Sequence, residues 1–167
     1  MRKEGITAPL ELYSRDVFQV LLEYELNRVR RYPASLTLLN IQVKIEPNRP
    51  EVLAGAERAI TGIFNTHLRG ADIPSKSGNE YLILLPTTDE NGGRIVCERL
   101  LSLFKKQFQT ETGNMFSLTA YIGMACLEGG SSVSGAMLTS QATRALANAR
   151  AQGLSTYSVF VKSNEKE

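Results

Sequence analysis

Long apolar segments, cysteine and histidine are all scarce in this sequence. No run of about 18 apolar residues occurs, which argues against a transmembrane helix. The N-terminal stretch MRKEGITAPLELY lacks the apolar core of a signal peptide. Cys97 and Cys126 lie far apart in apolar segments without zinc-ligand spacing, so we interpret them as buried, reduced thiols. These absences favour a cytoplasmic protein that does not insert into membranes.

A large excess of positive or negative charge is also lacking, since the formal net charge is only +2. Such a balance gives no electrostatic argument for binding nucleic acid. The 167 residues, 43% of them hydrophobic and 22% charged, suit one soluble globular domain. We expect that domain to span residues 1–161, followed by a polar tail at 162–167.

Common catalytic patterns are missing as well. The single histidine, His67, follows an apolar helical stripe, and we expect it to be exposed and without a catalytic role. Ser77, Ser102 and Ser117 have no recognisable His–Asp partners. The Gly-rich stretch 129–132 lacks the pattern of a phosphate-binding loop and is interpreted as a connector.

Hydrophobic spacing and turn signals predict nine elements in the order α-β-α-β-β-α-β-α-β. The first is a helix over Arg15–Arg31, which Pro33 terminates. Its predicted apolar stripe comprises Val17, Val20, Leu21, Tyr24 and Val29. A tight turn at Gly78-Asn79 predicts a hairpin, and Phe108 is assigned to the apolar stripe of the third helix.

A hairpin inside an otherwise alternating pattern indicates an α/β (α+β) fold. We expect a ferredoxin-like core whose mixed, mainly antiparallel five-stranded sheet is flanked by helices.

Four segments, spanning nearly the whole chain, resemble one known family. LYSRDVFQVLLEYELNRVRRYPASLTLLNIQV is similar to its opening "LYNRRxF…ExxRxRRxxxPLSLLLxDID" stretch, and LRGADIPSKSGNEYLILLP to "LRxxDxxxRxGGDEFxxLLP". TAYIGMA is similar to "xxSIGxA", and ATRALANARAQGLSTYSVF to "ADxALYxAKxxGRNRxxxF". Because the four occur in the family's order and nearly at its spacing, the chain resembles a GGDEF, or diguanylate cyclase-like, domain.

The resemblance implies a nucleotidyl-cyclase-like fold and a link to cyclic di-GMP. Family members condense two GTP molecules, one on each of two facing domains. The reaction uses divalent metal to activate a ribose oxygen and to neutralise charge on the phosphates. The family holds Mg²⁺ with carboxylates of the first strand and of the signature turn.

Several of these family positions differ here. Asn40 and Gln42 replace the two aspartates of the first strand, and an amide oxygen is a poor Mg²⁺ ligand. The signature turn reads SGNEY. An ungapped match places Asn79 at its acidic position, whereas a gapped match leaves the turn one residue short. Either way one glycine is lost beside Gly78, and Glu80 is the only remaining acid.

The family's other nucleotide contacts are depleted too. Asn48 is the only possible remnant of the guanine-reading segment. Arg150 replaces a phosphate-binding lysine and keeps its charge, whereas Leu154 replaces an arginine. The resemblance therefore implies a degenerate domain, with no cyclase activity, no cofactor and no good Mg²⁺ site.

One family feature is retained. Many GGDEF domains carry an RxxD motif that binds cyclic di-GMP, and Arg69-Gly70-Ala71-Asp72 matches it. Arginine can bind a phosphate or a guanine edge, and aspartate can accept from guanine N–H groups. The alternative is a surface arginine and a strand-start aspartate without a ligand.

Three functions follow from these features. The first is an inactive signalling domain in cyclic di-GMP regulation, acting through Arg69 and Asp72 or through protein contact. The second is a pure interaction or dimerisation module, and the third, least favoured, is a cyclase. Family enzymes usually carry a sensory domain in front, and about 14 residues precede the first predicted helix here. We therefore expect a protein partner or a homodimer, with contact near Gly78.

Overall fold

The computed structural model describes residues 12–161, so the predicted tail at 162–167 lies outside the described residues. Helices and strands alternate except at one hairpin and one short extra strand. The helices are α1 (Arg15–Arg31), α2 (Pro50–His67), α3 (Glu90–Phe104) and α4 (Gly135–Ala151). The strands are β1 (Leu36–Glu46), β2 (Ile73–Ser77), β3 (Glu80–Pro86), β4 (Gln107–Gln109), β5 (Met115–Leu127) and β6 (Thr156–Val159).

The sheet is mixed and mainly antiparallel, as predicted. Its strand order is β2-β3-β1-β5-β4, with β6 beside β5 in the only parallel pairing among the named strands of residues 12–161. The sheet has six strands, one more than the five predicted. The additional strand is β4, which contains Phe108. The ring of Phe108 stacks on Phe116 of β5 instead of continuing α3.

Side-chain alternation along β1 assigns the two faces of the sheet. Leu39 and Ile41 pack with α2 and α3, whereas Leu36 and Leu38 pack with α1 and α4. The close packing of α4 on the sheet also depends on Gly123 of β5, because a Cβ at this position would collide with the α4 backbone. A helix can lie this close to the strand only where the side chain is a hydrogen atom.

Helix α1 has the predicted bounds, but its predicted apolar stripe is only partly buried: Val29 lies in the core and Leu21 packs against it. Ser14 caps its start by accepting from the Val17 N–H, and three arginines occupy its last turn. The residues that pack into the core are Phe18, Leu22, Leu26 and Val29. Val17, Val20 and Tyr24 face outward instead, being 45%, 68% and 62% exposed. The helix therefore has two apolar stripes, and only one contacts the sheet.

Two further expectations concern single side chains and membranes. His67, expected to be exposed, is half-buried because it ends α2 beside the loop leading to β2. Cys97 is buried and Cys126 half-buried, and both are free thiols. None of the helices between residues 12 and 161 is long and apolar enough to cross a membrane.

Candidate functional site

The hairpin end of the sheet contains most of the residues that replace the family's metal ligands. In the β1–β3 register, Gln42 lies opposite Glu80, so both side chains share the sheet face that carries α1 and α4. The turn residues Gly78 and Asn79 are exposed, and Gly78 adopts a left-handed φ of 64°. Glu80 is half-buried and stands at the start of β3.

Asn40, unlike the hairpin residues, is buried and not accessible from this end of the sheet. Its side chain lies on the α4 side of β1, is 1% exposed, and donates from Nδ2 to Thr143 Oγ1 of α4 at 3.2 Å. Among residues 12–161, its Oδ1 is one of three buried side-chain oxygens without a hydrogen-bond partner; the others are Gln42 Oε1 and Thr139 Oγ1. Asn40 therefore joins β1 to α4 and does not face an open site.

This donor set does not fit a divalent metal. Mg²⁺ prefers anionic oxygens in an octahedral arrangement. The hairpin itself carries one carboxylate, Glu80, near the amides of Gln42 and Asn79, while Asn40 is covered by α4. The carboxylate of Glu57, on α2, is ion-paired with Lys76. Within residues 12–161, no group of three or more His, Cys, Asp or Glu side chains is placed to hold a metal ion.

A cavity of about 580 Å³ adjoins this end of the sheet on the α2 side. It is lined by Gln42, Asn48, Gly78 and Asn79, so the structure brings these sequence candidates together. Glu57 and Lys76 also line it and form an ion pair at 3.6 Å (Oε2 to Nζ). Sequence reasoning missed this pair, because its members lie on separate elements, α2 and β2.

Tyr81 lines the same cavity and is affected by the charge of Glu57. Burial raises the pKa of Tyr81 to about 12, and the negative charge of Glu57 adds to that shift. The Tyr81 ring packs edge-on against Phe64 of α2 at 5.3 Å. The phenol is therefore a neutral part of the core at neutral pH.

Arg150 does not line this cavity. It is exposed in the last turn of α4 and borders a smaller cavity of about 360 Å³ with Lys44 and Tyr121. Leu154 is exposed beyond the end of α4. The candidate phosphate cation and the hairpin residues thus lie in separate depressions.

The opposite end of the sheet holds a cavity of about 590 Å³ that contains Arg69 and Asp72. The Asp72 side chain is 2% exposed, and both of its oxygens accept hydrogen bonds from Arg69. Oδ2 accepts from the backbone N–H at 2.8 Å, and Oδ1 from Nη2 at 2.9 Å. Because the Asp72 side chain is buried as well as paired, its oxygens do not face the open cavity where a guanine would bind.

Arg69 is held at the rim of the same cavity and remains 56% exposed. Its Nη2 also donates to the carbonyl of Pro86 at 2.8 Å and to Thr88 Oγ1 at 3.0 Å. No hydrogen bond within residues 12–161 uses its Nε or Nη1, so three N–H donors remain for a ligand.

The residue between these two acceptors has an unusual backbone. Thr87 lies in the left-handed region with φ 53°, which is rare for a β-branched residue. This conformation joins Pro86, whose carbonyl accepts from Arg69, to Thr88, whose hydroxyl does the same. Local strain of this kind tends to occur at binding sites.

Comparisons with solved structures identify the fold around these two ends. The GGDEF domain of TpbB (YfiN) from Pseudomonas aeruginosa superposes with a TM-score of 0.78 at 18% identity, over 90% of this chain and 91% of that one. Diguanylate cyclase SiaD from Pseudomonas aeruginosa, solved with its activator SiaC, gives 0.77 at 22% identity, over 93% and 62%. The DgcB GGDEF domain from Caulobacter crescentus, solved with cyclic di-GMP, gives 0.72 at 14% identity, over 98% and 97%.

The chain has the GGDEF-domain fold. A scan against protein-family models gives no match, and neither does a search of curated proteins. The similarity is therefore one of structure. It confirms the predicted architecture of the GGDEF fold and leaves the chemistry of this chain to be argued from its own residues.

In this GGDEF fold, sequence reasoning missed three residues of the Arg69 cavity. Ile95 and Arg99 project from α3 and are exposed, and Asp89 is the exposed cap of the same helix. Gly92, Ile95, Val96 and Arg99 follow helical i, i+3, i+4, i+7 spacing. That spacing was a usable signal, but it competes with the core stripe of the same helix.

Proposed function

We propose that this chain is a catalytically inactive GGDEF-fold signalling domain that binds cyclic di-GMP in the Arg69 cavity. The observation that carries the proposal is the fixed position of Arg69. One guanidinium nitrogen is held by three protein acceptors, while its remaining N–H groups are uncommitted beside a cavity of about 590 Å³. A pre-oriented arginine loses less conformational freedom on binding a phosphate.

The rest of the cavity supports the same ligand. Arg99 provides a second cation, and a cyclic dinucleotide carries two phosphates. Ile95 provides an exposed apolar surface on which a base can pack. The DgcB domain was solved with cyclic di-GMP, which makes this ligand the natural one to test.

The proposed lack of catalysis follows from the donors at the hairpin end. Asn40 is buried under α4, Glu80 is the one carboxylate on the hairpin itself, and Glu57 of α2 is paired with Lys76. Because no cluster of acids among residues 12–161 is placed to hold Mg²⁺, the ribose oxygen would have no activating metal.

The ligand proposal is tested by thermal unfolding with increasing cyclic di-GMP. Binding to the folded state should raise the unfolding temperature with ligand concentration. An unfolding temperature that stays constant up to millimolar ligand would contradict receptor function.

A second candidate, protein interaction, is favoured by one observation. The outward stripe of α1, formed by Val17, Val20 and Tyr24, is well exposed and belongs to none of the core clusters of residues 12–161. Contiguous exposed apolar residues often mark contact surfaces. SiaD, one of the structural neighbours, was solved with a protein activator.

Light scattering over a range of concentrations tests this candidate. Self-association through the stripe should be lost in Val20→Glu and retained in Glu111→Gln, which changes an exposed residue far along the chain. A monomer at every concentration, or association that Val20→Glu leaves unchanged, would count against the stripe as the contact.

A further inference from the structure

The acids of the Arg69 cavity are not equivalent. Of the residues that line it, only Asp72 and Asp89 carry carboxylates. Asp72 is almost fully buried and directs both oxygens to Arg69. It orients the arginine, and because its side chain is only 2% exposed a ligand cannot reach it in this conformation.

Asp89 has the opposite character. It is exposed at the start of α3, where its Oδ1 accepts from the Gly92 N–H at 2.9 Å. No hydrogen bond within residues 12–161 uses its Oδ2. Its chain neighbour Thr88 accepts from Arg69 Nη2 at 3.0 Å, and Asp89 and Arg69 line the same cavity.

The cap also fixes the direction of this carboxylate. A carboxylate held by a backbone N–H has one oxygen committed, and the other is presented to the surroundings. The α3 face that follows carries Ile95 and Arg99 into the same cavity. A free acceptor, an apolar surface and two cations therefore line the same cavity.

This arrangement matches the edge of one purine better than the other. Guanine presents N–H donors at N1 and N2, which a carboxylate oxygen can accept. Adenine presents an unprotonated N1 at the same place, where a carboxylate is repelled. The cavity thus holds one free acceptor that distinguishes the two bases.

We propose that Asp89, and not Asp72, is the residue that selects guanine over adenine in the cyclic dinucleotide bound beside Arg69. The inference rests on the proposed receptor function and adds its specificity. Asp72 is a positioning residue that acts on both ligands equally through Arg69.

Calorimetric titrations with cyclic di-GMP and cyclic di-AMP test the proposal in the wild-type chain and in Asp89→Ser. Serine keeps the helix cap and removes the free oxygen. Losing one charged hydrogen bond should weaken cyclic di-GMP about ten- to a hundredfold. The affinity for cyclic di-AMP should not fall.

Two control variants separate specificity from general damage. Glu90→Gln removes a negative charge from the same helical turn without touching the cavity, and it should leave both affinities unchanged. Asp72→Asn loosens Arg69 and should weaken both ligands by a similar factor.

The titration results that would contradict each proposal differ from one another. Equal losses for both ligands in Asp89→Ser, or no loss at all, would overturn the role of Asp89 while receptor function stands. A selective loss of cyclic di-GMP in Asp72→Asn would return the reading role to Asp72. A wild-type chain that binds neither ligand overturns the receptor proposal and this inference with it.

Discussion

Arg69 and Asp72 form a closed pair in which the carboxylate binds both the backbone N–H and the guanidinium of the same arginine, at 2.8 and 2.9 Å. Three residues apart, they define a turn that ends α2 and begins β2. The pair turns a flexible side chain into a fixed cation at the rim of a cavity. Its role in this chain is thus to pre-orient Arg69.

Arg69→Ala should weaken cyclic di-GMP binding by about 1.5–3 kcal/mol, or roughly ten- to a hundredfold. The loss arises because a charged donor to phosphate disappears. The matched control is Arg150→Ala, which removes an exposed arginine from a different cavity and should leave the affinity almost unchanged. Comparable losses in the two variants would show that general charge, and not the Arg69 site, binds the ligand.

Asn40→Asp should not create a cyclase, and it should destabilise the fold. The new carboxylate would be buried beneath α4 without a counter-charge, which costs about 3 kcal/mol or more. Urea unfolding measures this loss, and Asn79→Asp at the exposed turn is the control that should change little.

The absence of cyclase activity is checked by incubating each protein with GTP and Mg²⁺ or Mn²⁺ and looking for cyclic di-GMP by chromatography. Neither the wild-type chain nor Asn40→Asp should yield cyclic di-GMP. Product above a no-protein control that disappears in Glu80→Ala would establish an active hairpin and refute the inactive reading.

Gly123→Ala should destabilise the chain by about 1–3 kcal/mol or more, since its Cβ would meet the α4 backbone at Ala142 and Leu146. Gly62→Ala is the matched control. Nothing lies within 4 Å of a Cβ at Gly62, and alanine should stabilise α2 by about 0.5–1 kcal/mol. Similar unfolding midpoints for the two variants would contradict the close packing of α4 on β5.

Tyr81 should make the fold sensitive to alkali. Its pKa is raised from 10.0 to about 12, so between these values the unfolded chain loses the phenol proton while the folded chain keeps it. The free energy of unfolding should then fall as pH rises through this window, by up to about 1.4 kcal/mol per pH unit from this group. Tyr81→Phe should show a shallower decline in urea unfolding, and identical slopes would refute the shift.

Much of the fold could be predicted from local signals. Pro33 and the Gly78-Asn79 turn each mark an element boundary that the structure has. Strand β4 could not be predicted, because Phe108 continues the spacing of Leu100 and Phe104 by four residues. An apolar residue at that spacing is equally compatible with another helical turn or with a new edge strand.

The face of α1 illustrates a second limit. Its sequence contains two apolar stripes, and composition alone cannot tell which one meets the sheet. The core stripe includes Phe18 and Leu22, and the outward stripe includes Val17 and Val20. Only the packing of α1 against β1 and α4 distinguishes them.

The candidate site, too, could be predicted only in part from the sequence. The substitution at Asn40 and the retained acid at Glu80 could be interpreted from sequence, because the type of ligand decides metal preference. The burial of Asn40 under α4 and the pairing of Asp72 with Arg69 depend on contacts between distant elements or on side-chain orientation. Neither property has a signature in residue spacing.

The most direct test of the account is a pair of calorimetric titrations of the wild-type chain, one with cyclic di-GMP and one with GTP and Mg²⁺. We predict saturable heat with cyclic di-GMP and none with GTP, because Nε and Nη1 of Arg69 are uncommitted whereas the donors at the hairpin end, within residues 12–161, do not fit a divalent metal. Saturable binding of GTP with no heat from cyclic di-GMP would contradict it.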